Sequence, residues 1–189
     1  MSSLILEPTA KAVWHRLVKE AEQRSHCQLD EHKESYLVFL LMRYLQRPDL
    51  VRTVLALSFL KALRSAGRQR QERLQDVGDQ CLIFAGLFPE QADRRRVSIS
   101  YFIDLGRTSY LGLAESGPRE STSLFTGLAE AFVHLMDVLR ATRASQQQAL
   151  FTALQAAELW AETGSRLALR ELKAYTDAAP MPPASDRAH

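Results

Sequence analysis

Apolar residues recur every three to four positions along most of this chain, and that spacing predicts helices. From about Pro8 to Gln23, the residues Ala10, Val13, Trp14, Leu17, Val18 and Ala21 share one stripe. Pro8 suits a first helical turn, where its missing N–H costs nothing. His15 falls off that stripe and is expected on the surface. A second helix follows Asp30, a good N-cap type, and runs to about Gln46, with Pro48 ending it. Its half Tyr36–Met42 is apolar all round, as in a helix contacted on several sides. Asp49 is placed to cap a third helix, about Leu50 to Ala66, which is strongly apolar through Val54–Leu60. Gly67 stands where a left-handed residue closes a helix. A fourth, about Gln69 to Phe88, carries the stripe Leu74, Val77, Gly78, Cys81, Leu82, Ala85 and Phe88. Gly78 and Gly86 leave room there for a close neighbour, and Pro89 stops the helix.

Val97–Leu113 is the segment that most invites a functional reading, because it is apolar and aromatic yet holds Asp104 and Arg107. Charged groups enter packed interiors when paired or when they do chemistry. Its first residues alternate as in a strand, but Phe102 breaks the alternation, and no second strand exists to pair its backbone. A helix is the better reading, with Ile99, Phe102, Ile103, Gly106, Tyr110 and Leu113 on one stripe. Gly117-Pro118 marks a turn. A sixth helix spans about Ser121 to Thr142 and a seventh about Gln146 to Glu162. Beyond the break at Gly164-Ser165, an eighth piece reaches about Tyr175. The expectation is an all-α, single-domain bundle of about seven helices over residues 1–177, its core supplied by the second to fifth. Residues 178–189 form a Pro/Ala-rich tail expected to be disordered.

Composition narrows this picture little. At 189 residues, with 46% hydrophobic and 24% charged, the chain can bury a core without a metal or disulfide. A net charge of +2 is too small to call for a polyanion, so nucleic acid is not an expected partner. Cys27 and Cys81 form no CxxC or zinc spacing. No secretory signal and no run of ~20 apolar residues is present, so a reducing cytoplasm without membrane contact is the expected location.

Three constellations could carry chemistry. Tyr101, Asp104, Arg107 and Thr108 lie three and four apart on the other side of the fifth helix. With Tyr110 they are the ligand-binding candidates: an Asp104–Arg107 pair with a Tyr101 hydrogen bond could bind a polar ligand, or could simply tie helices together. Glu130, His134 and Asp137 have the right chemistry for a divalent metal, but no Glu-x-x-His accompanies them, and a solvated face is the simpler reading. Lys61, Arg64, Arg68, Arg70, Arg73 and Arg94–Arg96 form basic stretches, diluted by Glu72, Asp76, Asp79, Glu90 and Asp93. They too read as solvated. Phosphate loops, nucleophile elbows, HExxH and dinucleotide fingerprints are all missing, so no catalytic residue and no cofactor is expected.

Within Gly86–Ala114, the elements Phe88-Pro89, a basic residue near Arg95, Tyr101, Asp104-Leu105-Gly106 and Tyr110 resemble a family of uncharacterised bacterial helical proteins. The resemblance implies a bacterial source and a family signature in this region. It implies no activity. The functional expectation is a non-enzymatic protein acting by association with itself or a protein partner. Phe39, Phe59, Phe84 and Phe125 motivate it, since all point off their main stripes. The alternative is a small-molecule-binding protein or enzyme with its pocket around Tyr101, Asp104, Arg107 and Tyr110.

Overall fold

A computed structural model of the chain describes residues 10–46, 54–143 and 153–175. Every regular element among them is a helix: α1 (Ala10–Ser25), α2 (Glu31–Gln46), α3 (Leu55–Leu63), α4 (Gly67–Leu87), α5 (Glu90–Arg95), α6 (Ile99–Ser116), α7 (Arg119–Glu130), α8 (Phe132–Arg143), α9 (Ala153–Thr163) and α10 (Arg166–Tyr175). The all-α class is therefore correct and the count of about seven is not. The eighth piece is a full helix, α10, and two further features raise the count to ten among the described residues. The Glu90–Arg95 segment is a short helix of its own, and the expected sixth helix is two, bent by 69° at Ala131. Pro8, Pro48, Asp49, Gln146 and the 178–189 tail lie outside the described residues.

Local signals set most boundaries. Asp30 caps α2, its Oδ1 accepting the Lys33 N–H at 3.0 Å, and Ser98 caps α6 by accepting the Tyr101 N–H at 3.2 Å. Left-handed residues follow three helices, at His26 (φ 54°), Arg96 (φ 55°) and Gly164 (φ 68°), whereas Gly67 (φ 54°), expected to close the third helix, is the first residue of α4.

The core gathers around α4, which is buried continuously from Val77 to Gly86 because α3, α6 and α8 pack onto it. The third helix supplies far less than its apolar sequence promised. Only Leu55 and Ala62 of α3 are buried, whereas α8 buries nearly its whole length. Close approach needs missing side chains at three places in the core. A Cβ on Gly86 would stand 2.6 Å from the Leu139 Cβ. A Cβ on Gly78 would stand 2.6 Å from the Tyr110 ring, and one on Gly106 would strike Phe132 and come within 3.0 Å of the Cys81 Cβ. Two arginines of α8 then tie off the C-terminal end of α4. Arg140, fully buried, donates Nε and Nη2 to the Ala85 carbonyl at 2.8 and 2.7 Å, and Arg143 donates to the Leu87 carbonyl at 2.6 Å. Cations there also meet the negative end of the helix dipole.

No single helix among the described residues is long and apolar enough to cross a membrane. The bent α7–α8 pair reaches that length and composition only when its two halves are taken together.

Candidate functional site

The α6 candidates do not converge on one place. The helix turns Tyr110 fully into the core, while Asp104 and Thr108 face solvent and Tyr101 and Arg107 are half-buried. Arg107 reaches not Asp104 but the carbonyl of Ala129 at 3.2 Å, joining α6 to the last turn of α7. Thr108 donates to the backbone carbonyl of Asp104 one turn back, at 2.8 Å.

Tyr110 instead belongs to a buried centre that the sequence does not announce. Its hydroxyl donates to Asp79 Oδ1 at 2.9 Å, and Tyr36 of α2 donates to the same oxygen at 2.6 Å. Arg43 of α2 donates to Asp79 Oδ2 at 3.1 Å and also pairs with Asp76. Asp79 is only 4% exposed. Burial pushes its carboxyl up to about 6, while the two hydroxyls and Arg43 hold it down and Asp76 adds to the rise. Burial, reinforced by the Asp79 charge, pushes both tyrosine hydroxyls well above 10, so they remain donors. Tyr36 and Tyr110 meet edge to face at 6.1 Å, and Phe125 stacks on Tyr110 at the same separation. The group joins α2, α4, α6 and α7. A carboxylate whose oxygens are taken by internal donors, with little space beside it, is a structural cross-link.

The metal candidates also separate. Glu130 ends α7, whereas His134 and Asp137 belong to α8 beyond the bend. The solvated-face reading fails for Asp137, which is fully buried. It accepts from the Ser165 hydroxyl at 2.6 Å and from the Leu167 N–H at 3.4 Å. Among the described residues no three His, Cys, Asp or Glu side chains are grouped to hold a metal. Burial raises the Asp137 carboxyl to about 6. The basic stretches disperse as well: Arg68 pairs with Glu72, and the Arg95 guanidinium lies 4.7 Å from the centre of the Phe84 ring.

A wide cleft of about 850 Å³ opens where the end of α1 and the following loop meet α8 and α10. Lys19, Glu22, His26, Cys27, His134 and Arg166 are among the residues lining it. Glu22 is already satisfied, its Oε1 by the Leu29 N–H at 2.7 Å and its Oε2 by Lys19 at 3.2 Å. Lys19 also pairs with Glu34 at 2.6 Å, and His15 joins the same glutamate at 2.8 Å. Burial and the nearby Asp137 raise the Cys27 thiol, so it is a poor nucleophile. Sequence spacing could not reveal this cleft, because its walls come from residues more than a hundred positions apart.

No family model matches the chain, and no curated protein or solved structure matches it either.

Proposed function

We propose that the protein acts without catalysis, by association with itself or with a protein partner, and that the outer face of α3 makes the contact. The carrying observation is a short, strongly apolar helix that is packed on one side only. Leu55 and Ala62 turn toward the interior, leaving Val54 56%, Leu57 55%, Leu60 50% and Leu63 45% exposed. Clustered aliphatic groups that stay in water on an otherwise well-packed molecule mark an interaction surface. Of the four phenylalanines that point off their stripes, only Phe39 is largely exposed; Phe84 is fully buried and Phe125 packs on Tyr110. The reading therefore rests on α3 rather than on the phenylalanines.

Light scattering coupled to size exclusion tests the self-association form. At ~100 µM a contact with a Kd of ~1 µM is essentially saturated, so the expected species is an oligomer. Leu57→Glu combined with Leu60→Glu should return it to a monomer with unchanged helical content. A wild-type monomer at that concentration removes self-association. The reading that places a small-molecule pocket on α6 gains no support from the geometry, since its residues point in different directions.

A further inference from the structure

We propose that the cleft between the end of α1, α8 and the start of α10 binds a phosphate-bearing small molecule, with Arg166 and His134 as its principal ligands. Its volume of about 850 Å³ lies within the ~300–1,000 Å³ typical of ligand pockets. The charges around it fall into two sets. Lys19 stands between Glu22 at 3.2 Å and Glu34 at 2.6 Å, one cation against two carboxylates, and neither carboxylate pairs with Arg166. The buried Asp137 is held by the Ser165 hydroxyl and the Leu167 N–H at the start of α10. Arg166 itself makes one long bond, Nη1 to the His26 carbonyl at 3.5 Å. The exposed guanidinium keeps most of its planar set of donors for a ligand.

His134 completes the case. It lines the cleft and takes part in no hydrogen bond or ion pair among the described residues. Its imidazole is held below the ordinary 6.5, first by burial, then by the positive charges of Arg166 and Arg107. Arg166 and Arg107 thus add a positive potential at a ring that can itself become a donor cation. A phosphate dianion beside Arg166 would relieve that potential and accept from both side chains, a charge-assisted arrangement. His26 and the amides of Gln23 and Gln28 line the remaining space, where the organic part of a phosphomonoester would sit.

The test is an NMR titration of the His134 ring with inorganic pyrophosphate and with glycerol phosphate, in parallel with sodium chloride at matched ionic strength and with succinate. Saturable shifts with both phosphates and a rise in the His134 pKa are expected, with neither chloride nor succinate reproducing them. Arg166→Gln should weaken phosphate binding at least about tenfold, the loss of one charged hydrogen bond. His134→Gln, followed through the Arg166 side-chain resonances, provides the same comparison should the first variant misfold. Shifts that fail to saturate, that chloride or succinate matches, or that survive both substitutions overturn the proposal.

Discussion

A Cβ built on Gly78 would lie 2.6 Å from Cε1 and 2.8 Å from Cδ1 of Tyr110, closer than real side-chain carbons approach one another. The ring cannot yield easily, because it is fully buried against Phe125 and Phe132 and its hydroxyl is anchored on Asp79. Gly78→Ala sets two effects in opposition. Helix propensity alone favours alanine by about 1 kcal/mol, whereas overpacking costs ~1–3 kcal/mol and here also pulls a hydrogen bond off a buried carboxylate. Overpacking should win, lowering the urea midpoint with the slope unchanged. A gain in stability would mean that the ring is free to move. Tyr110→Phe isolates the polar part, keeping the ring but removing one donor to Asp79, and should cost ~1–3 kcal/mol in the same measurement. The sequence marks Gly78 as a point of close approach and Tyr110 as inward. It does not mark Asp79, which reads there as one of several acids diluting a basic stretch. Its partners Tyr36 and Tyr110 lie 43 and 31 positions away, and no local pattern encodes such a meeting.

The helices themselves are legible because each needs only its own apolar spacing, caps and breakers. The division of α7 from α8 is not, since neither proline nor glycine stands at Ala131 and the apolar spacing runs straight through. The chain bends where Arg107 of α6 takes the Ala129 carbonyl, a tertiary contact acting on the last turn of α7. Asp137 illustrates the same limit: read on a continuous amphipathic helix it belongs outside, yet Val133, Leu135, Met136, Val138 and Leu139 around it are all buried. An acid set in a run so nearly apolar was the available signal. Ser165 is the residue that makes this burial tolerable. Its hydroxyl donates to Asp137 and accepts the Ala168 N–H at 3.1 Å, capping α10 from within the core. Ser165→Ala removes a cap and a donor to a buried carboxylate together, so a loss of ~2–4 kcal/mol is expected. Amide hydrogen exchange should locate that loss first in α10. Uniform loosening of all helices at low cost would instead show that Asp137 finds another donor.

For the molecule as a whole, Asp79 on α4 and Asp137 on α8 are two buried acids that together set how stability responds to pH. Both have folded-state pKa values raised from 3.8 to about 6. Between those values the native state holds more protons than the unfolded chain, so the unfolding free energy falls as pH rises. The stabilisation is fully present below pH 3.8 and is lost as pH climbs through about 6, on the order of 3 kcal/mol for each acid. His134 works in the opposite direction. Its lowered pKa favours the neutral ring in the folded state, so its contribution is lost as pH falls below 6.5. Asp30, lowered by its bonds to Lys33, likewise loses its contribution as pH falls below 3.8. Two fully desolvated carboxylates should outweigh one partly exposed imidazole, because the cost of an ionised group grows with its burial. Urea unfolding measured from pH 4 to pH 7 should therefore show stability declining toward neutrality, the reverse of ordinary acid denaturation. Asp79→Asn with Asp137→Asn should flatten that decline even though each amide lowers stability at pH 4. A wild-type curve that rises monotonically to pH 7 would mean that Arg43, the tyrosines and Ser165 hold both carboxylates ionised despite their burial.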